Sequence, residues 1–287
     1  MPRTPRRWKR IFFWLGGLLA LLTGLAWLVI RTDVPPVPDG VRKITRTVTL
    51  TGTEVAVDVY LPEHVTEAPL AIVAHGFSRS HRNMTGWGGR LAEEGFITAV
   101  LDQPFWAAHV RNGRAVCELA DQLRTDKLDL GVRPGSKTVL IGMSMGGLTT
   151  LLAAKRHPVD AWVGLDPVDV SGGGIIAAKD LKMPCAILSA EPALFNWDGN
   201  PRKILKALPG PVFAIQITGS THCDSEWPHD ILGQLACGRT DESRRRIYEQ
   251  YTIAFLRSVI FADPAASKIL QSAQQDTRVT VMEKDRS

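Results

Sequence analysis

The sequence predicts an α/β protein with a mostly parallel central sheet and helices on both faces, preceded by one N-terminal transmembrane helix. Two observations predict the sheet. Short apolar runs recur from Leu70 onward, and stretches that favour helices separate most of them. Alternation of this kind produces a parallel sheet that is covered on both sides. The third observation is a run of twenty uncharged residues, 11–30, near the N-terminus.

That uncharged run predicts an uncleaved signal anchor. A helix of this length spans about 30 Å, which is the thickness of a bilayer core. Residues 1–10 form a basic tail with five Lys and Arg residues and no acid, which predicts a cytoplasmic N-terminus and an extracytoplasmic body, periplasmic or at the cell surface. The alternative is a signal peptide whose cleavage releases a secreted protein. The run is longer than such a peptide needs, and no small-residue cleavage site follows it.

The net positive charge is confined to the N-terminal tail. The chain has a formal net charge of +5, and the first ten residues account for all of it, so the remaining chain is neutral. A neutral body does not favour nucleic-acid binding, which requires a basic surface. Residues 31–43 contain three prolines without apolar periodicity and predict a semi-rigid linker.

Residues 44–261 are predicted to form the catalytic domain. Ile44–Leu50 and Val55–Tyr60 alternate polar and apolar residues around Thr51-Gly52-Thr53, as an antiparallel hairpin does. A final amphipathic helix is expected at about 242–259, and 262–287 is expected to be a polar tail whose last twenty residues are frayed. The remaining buried strands are predicted at 70–74, 97–101, 138–141, 161–165, 185–189 and 212–217, and the helices between them at 88–94, 115–123 and 148–156.

One segment organises the domain. The apolar run 138–141 leads into Gly142-Met143-Ser144-Met145-Gly146-Gly147, and a helix-forming run follows. A sharp strand-to-helix turn exposes its central serine, and residues two before and two after that serine must be small. Ser144 is therefore the candidate nucleophile, with Gly142, Gly146 and Gly147 as the glycines of the turn.

The groups that would serve this nucleophile are expected after other strands, at their carboxyl ends. His75-Gly76 follows the strand 70–74, and this position predicts an oxyanion hole made by the backbone N–H groups of Phe77 and Met145. His222 follows the last predicted core strand and is the preferred general base. His229 is its rival.

The acid of the triad has two candidates. Asp166 directly follows the strand 161–165 and is preferred, because Pro167 fixes the turn behind it. Glu191 follows the next strand and is the alternative. Either carboxylate could orient an imidazole. No His and Cys spacing suggests a metal site, and the chemistry implies no cofactor.

Together the elbow, the His75-Gly76 turn and Gly219-Ser220-Thr221-His222 resemble the α/β-hydrolase superfamily over about residues 44–261. The nearest branch is similar to chlorophyllases and cutinase-like polyester hydrolases. Gly164-Leu165-Asp166-Pro167-Val168 resembles the chlorophyllase segment that carries the catalytic Asp, which supports Asp166. Cutinase-like enzymes place their Asp after the following strand, where this chain has Glu191 and Ala193. Met145 replaces the Arg that follows the nucleophile in chlorophyllases, so their substrate is not carried over.

Two further features concern the shape of the site. Cys223 adjoins His222, and a disulfide to Cys237 would fix the histidine loop, whereas Cys117 and Cys185 are expected to be free thiols. Residues 169–182 lie where many hydrolases carry a helical cap. Because this segment is short and rich in glycine, it predicts an open, shallow site that suits an ester on a bulky or lipidic molecule.

The sequence thus predicts a membrane-anchored extracytoplasmic serine hydrolase that cleaves carboxylic esters through an acyl-enzyme. An acyltransferase or peptidase with the same triad is one alternative. A non-catalytic binding member of the fold is the other, and it would be expected to lack a complete triad.

Overall fold

The computed structural model describes residues 13–21, 23, 34–125 and 127–284. Residues 13–21 are helical. The predicted anchor, residues 11–30, falls partly outside these ranges, and the predicted basic tail, residues 1–10, falls wholly outside them. Over the residues that are described, no helix is both long enough and apolar enough to cross a bilayer.

A mixed sheet forms the centre of the domain. In the described part of the chain it has nine strands in the order β1-β2-β4-β3-β5-β6-β7-β8-β9. Neighbouring strands from β4 to β8 run parallel, while β1, β2 and β9 pair antiparallel at the two edges. The strands are β1 Val41–Leu50, β2 Thr53–Pro62, β3 Glu67–Ala74, β4 Ile97–Leu101, β5 Arg133–Met143, β6 Ala161–Leu165, β7 Cys185–Ser189, β8 Val212–Ile217 and β9 Val279–Val281.

Helices cover both faces of this sheet. One buried apolar cluster joins the sheet to α2, α3 and α5, and the other joins it to α1 and α7. The predicted α/β class with a mostly parallel sheet is therefore confirmed. The helices are α1 Thr85–Glu93, α2 His109–Arg124, α3 Met145–Ala154, α4 Gly173–Ala178, α5 Asn200–Ala207, α6 Ile231–Cys237, α7 Glu242–Ile260 and α8 Pro264–Ser272.

Element boundaries follow the sequence signal where that signal is strong. Strands β4, β6, β7 and β8 have the predicted limits, because each is a short apolar run between polar or glycine-containing segments. Helix α2 begins at His109, six residues before the predicted start. Asn112 and Gly113 weaken helix propensity there. The structure compensates, because the Asn112 amide hydrogen-bonds to the Phe105 backbone and to the Gln103 side chain.

The expectation that the last twenty residues are frayed is wrong for their described part. Residues 264–272 form α8, and β9 pairs with β8 through Val279↔Ile217 and Val281↔Ile215. Val279 and Met282 are buried, and Tyr251 donates a 2.9 Å hydrogen bond to Asp276. A strand of three residues has too few positions to show a period, so the sequence pattern did not reveal it.

Candidate active site

The strand-to-helix turn has the geometry that its glycines require. β5 ends at Met143, α3 begins at Met145, and Ser144 between them has φ 53° and ψ −124°. A non-glycine residue at positive φ is strained. A Cβ atom on Gly142 would lie 2.3 Å from the Gly146 carbonyl oxygen, and one on Gly146 would lie 2.3 Å from the Ala74 carbonyl oxygen. The close approach of these backbones thus excludes any side chain at either position.

Three predicted residues form one continuous hydrogen-bonded series. Ser144 Oγ lies 2.8 Å from His222 Nε2, and His222 Nδ1 lies 2.6 Å from Asp166 Oδ2. A carboxylate can only accept, so Nδ1 carries the proton and Nε2 accepts from the serine hydroxyl. Asp166 is fully buried, and the other two residues are nearly so. The arrangement leaves Nε2 ready to receive the serine proton.

Asp166 is held from its other side by groups on the next loop. The Ala190 N–H donates to Oδ1 at 3.0 Å, and the Asn196 amide donates to Oδ2 at 3.2 Å. Asn196 is itself fully buried and also donates to the Glu191 carbonyl oxygen at 2.8 Å. The sequence analysis did not identify Asn196, which is thirty residues from Asp166 and belongs to no motif.

The alternative candidates lie elsewhere. The Glu191 carboxylate accepts a 2.8 Å hydrogen bond from the Gly219 N–H, and the Glu191 side chain is exposed. It therefore contacts the backbone near the start of the histidine loop and not the imidazole. His229 Nε2 lies 3.1 Å from the Asp224 carbonyl oxygen and is not in the series with Ser144.

The predicted oxyanion donors belong to residues that lie at the same cavity as the reacting atoms. Phe77 and Met145 line the same cavity as Ser144 and His222. Within the described residues, neither of their backbone N–H groups has a protein acceptor. Gly76 keeps the loop close, because a Cβ there would lie 3.1 Å from the Ser144 Cβ and 2.7 Å from the Met143 sulfur.

His75 braces the oxyanion loop from behind. Its Nδ1 donates to the Gly76 carbonyl oxygen at 2.7 Å, and its Nε2 accepts from the Gln103 N–H at 3.0 Å. One donor and one acceptor correspond to a neutral ring. Burial lowers the pKa of His75, which keeps the ring neutral and its two contacts intact.

The loop that carries His222 is fixed at several points. The predicted disulfide joins Cys223 to Cys237, whose Cα atoms are 6.0 Å apart, and Cys117 and Cys185 are free, as expected. The buried Asp224 carboxylate accepts from the Thr221 N–H at 2.7 Å and from Arg244 Nε at 2.6 Å. These contacts tie the histidine loop to α6 and α7.

Beside Ser144 lies a cavity of about 520 Å³ with mainly apolar walls. Helix α4 is as short as the cap segment predicts, but the walls come from two segments that the sequence analysis did not assign to the site. These are the turn 194–197 and helix α6, which present Leu194, Phe195, Trp197 and Leu232, all of them substantially exposed. A second cavity of about 430 Å³ shares Gly76–Arg79 and Met145 with the first and has more polar walls, with Asp102, Gln103 and His109.

Within the ranges that the structure describes, no group of three or more His, Cys, Asp or Glu side chains is arranged to hold a metal ion. A scan against protein-family models gives no match, and a search of curated proteins finds no significant similarity.

Proposed function

We propose that this protein is a serine hydrolase of the α/β-hydrolase type that cleaves carboxylic esters. The observation that carries the proposal is the buried series Ser144–His222–Asp166, with contacts of 2.8 and 2.6 Å, beside two backbone N–H groups that have no acceptor in the described part of the chain. This combination supplies a nucleophile, a base, an orienting carboxylate and an oxyanion site in one cavity.

The reaction follows from the roles of these groups. Ser144 Oγ attacks the ester carbonyl carbon while His222 Nε2 takes the serine proton. The Phe77 and Met145 N–H groups stabilise the oxyanion, and one such donor typically contributes about 3 kcal/mol to transition-state stabilisation. The imidazolium, held by Asp166, then protonates the departing alkoxide. Water, deprotonated by His222, attacks the acyl-enzyme and regenerates Ser144.

The walls of the cavity favour an apolar acyl or alcohol group. Apart from Arg79, Glu226 and His222, the side chains that line the larger cavity are uncharged, and its mouth carries exposed aromatic and leucine side chains. Each additional methylene group of the substrate that is buried in the cavity contributes roughly 0.8 kcal/mol to binding. We therefore expect kcat/KM to rise through a series of nitrophenyl esters of increasing acyl length until the cavity is filled.

The decisive experiment compares the wild-type body with Ser144→Ala and His222→Ala, using a fluorophosphonate probe and a nitrophenyl ester. The proposal expects probe labelling and turnover in the wild type and neither in Ser144→Ala. Added alcohol or amine acceptors and a peptide substrate distinguish a hydrolase from an acyltransferase or a peptidase. A wild-type protein that is not labelled by the probe and does not hydrolyse the ester would favour the alternative of a non-catalytic binding protein.

We also propose that residues 11–30 anchor the enzyme in a membrane with its body outside the cytoplasm. The strand topology supports a proposal about how an anchored body would be oriented. Val57 of β2 pairs with Leu101 at the carboxyl end of β4, so β2 begins on the side of the sheet where Ser144 lies and ends on the opposite side. Val41, the first residue of β1, pairs with Pro62 at the end of β2, so β1 begins on the side away from Ser144. Pro38 packs against α1, so residues 31–37 span at most about 25 Å between body and membrane.

An anchored body of this topology would present its cavity away from its own bilayer. In proteoliposomes, the anchored enzyme should hydrolyse a soluble ester as fast as the free body does, but hydrolyse an ester lipid in its own vesicle more slowly than an ester lipid in added vesicles. Equal rates on both lipid esters would contradict this orientation. Recovery of the enzyme in the soluble fraction after expression of the full chain would contradict the anchor itself.

A further inference from the structure

A buried ionic cluster joins three walls of the candidate active site. Arg79 Nε donates to Glu226 Oε1 at 2.7 Å, and Arg79 Nη2 lies 2.5 Å from Glu226 Oε2 and 2.8 Å from Asp230 Oδ2. The side chains are 12%, 1% and 7% exposed, in the order Arg79, Glu226 and Asp230. We call these three residues the Arg79 bridge.

Each member belongs to a different part of the site. Arg79 lies two residues after the oxyanion donor Phe77, and Glu226 lies four residues after His222. Asp230 caps α6, since its Oδ1 accepts from the Gly233 N–H at 2.7 Å. One guanidinium group therefore connects the oxyanion loop, the histidine loop and the helix that lines the apolar cavity.

Contacts around the bridge leave little room for the two loops to separate. The Asn83 amide donates to Asp230 Oδ2 at 2.9 Å, and the Asn83 carbonyl oxygen accepts from the Trp227 N–H at 2.8 Å. Trp87 Nε1 donates to the Ser225 carbonyl oxygen at 2.8 Å. The loop on which His222 lies is thus fixed to the segment that follows the oxyanion loop.

We propose that the Arg79 bridge is a positioning device for catalysis, which sets the distance between the oxyanion donors and His222 and places a net negative charge beside the imidazolium. The proposal rests on the esterase function proposed above. With all three groups ionised, the bridge carries one positive and two negative charges. A misplacement of about 1 Å in such a site can reduce the rate about 100-fold.

Glu226 is the member whose charge matters most to the base. The charged groups that act on it are Arg79 on the oxyanion loop, Asp230 at the start of α6 and His222 on its own loop. Burial raises the pKa of Glu226 above its ordinary value, although Arg79 opposes the shift. Removal of this charge deprives a protonated His222 of a negative neighbour, so the acid limb of kcat/KM should move to lower pH.

The test compares Arg79→Lys, Arg79→Gln, Glu226→Gln and the double variant Arg79→Gln/Glu226→Gln on a short nitrophenyl ester. Arg79→Gln should lose about 10- to 100-fold in kcat with KM changed less than about three-fold, because the bridge acts through the placement of the oxyanion donors and His222, whereas a short apolar acyl group is bound by the apolar walls. The kcat of Arg79→Lys should lie between those of Arg79→Gln and the wild type, since an ammonium group keeps the positive charge but cannot make the bidentate contact of a guanidinium group. The double variant should lose no more than the worse single variant, because both changes break one bridge.

Arg90→Gln is the matched control. Arg90 lies on α1, outside the site, and pairs with Glu94 at 2.5 Å and with Glu249 at 2.7 Å. The Arg90→Gln variant should have a lower melting temperature, but its kcat and the acid limb of its pH profile should be those of the wild type. If Arg79→Gln and Glu226→Gln do the same, the bridge is only structural and the proposal is overturned. Because Glu226→Gln is nearly isosteric, it should fold and allow the proposal to be tested even if Arg79→Gln does not fold. A wild-type enzyme without turnover would instead refute the proposed function, and the positioning role with it.

Discussion

The identity of the triad acid gives the sharpest single prediction. Asp166→Asn changes one atom of a buried group whose surroundings are all assigned. The Ala190 backbone N–H donates to Oδ1 at 3.0 Å and the Asn196 side chain to Oδ2 at 3.2 Å. Because the backbone donor is fixed and the Asn196 side chain can rotate, we expect the amide oxygen of the new asparagine at the Oδ1 position. Its NH₂ group then occupies the position of Oδ2 and points at His222 Nδ1, which lies 2.6 Å from Oδ2.

This geometry sets the direction and the size of the effect. An NH₂ group is a donor, so it can face Nδ1 only if that nitrogen becomes an acceptor. The ring proton then moves to Nε2, and the histidine can no longer take the proton of Ser144. The same tautomer change in a serine protease triad reduces kcat about 10⁴-fold. That factor corresponds to about 5.4 kcal/mol of transition-state stabilisation.

Glu191→Gln is the matched comparison, because Glu191 is the other acid that the sequence offers. Its carboxylate accepts one hydrogen bond from the Gly219 N–H in an exposed position, and glutamine can accept the same bond. We expect kcat within about two-fold of the wild type, since a surface hydrogen bond of this kind contributes about 1 kcal/mol to stability. Nitrophenyl ester turnover, fluorophosphonate labelling rate and a thermal melt are measured for both variants. A folded Asp166→Asn variant within ten-fold of wild type, or an equal loss in Glu191→Gln, would refute the reasoning.

Three other predictions concern the framework. Gly146→Ala places a Cβ 2.3 Å from the Ala74 carbonyl oxygen, so it should lower the free energy of unfolding by about 3 kcal/mol and abolish labelling by the fluorophosphonate probe. Gly173→Ala is the control and should have neither effect. A Gly146→Ala variant that folds and is active would contradict the geometry of the strand-to-helix turn. Truncation after Asp276 removes β9 and should lower the denaturant midpoint by uncovering β8, which an unchanged midpoint would disprove. Burial raises the pKa of Cys117 to about 11 and that of Cys185 to about 12, so iodoacetamide at pH 8 should label neither in the native protein and both after unfolding; rapid native labelling would show that these thiols are accessible.

The triad could be proposed from sequence because each member follows a strand that the pattern marks clearly. Strands β6 and β8 and the carboxyl-terminal half of β5 are short apolar runs, and parallel strands bring their carboxyl ends to one edge. Ser144, Asp166 and His222 therefore converge once the strands are assigned. The choice between Asp166 and Glu191 could not be made in this way, since both follow strands at that edge. Only the 2.6 Å contact with His222 Nδ1 separates them.

The walls of the cavity left no comparable signal. Leu194, Trp197 and Leu232 belong to a turn and to a helix of seven residues, which are too short for a period to be read. Their exposed apolar side chains look like scattered surface residues in the sequence. They form one lining only because the loop after β7 and helix α6 meet in front of Ser144.

Groups that brace the site are hidden for a different reason. Arg79 and Glu226 are separated by 147 residues, and Asn196 and Asp166 by 30, so no local spacing relates them. Polar residues of this kind resemble ordinary loop residues until the fold buries them, and burial is what makes their partners obligatory. A sequence pattern can therefore indicate which groups would react, because reacting groups sit at fixed places relative to strands. The contacts that hold those groups within a few tenths of an ångström depend on pairings that only the folded chain creates.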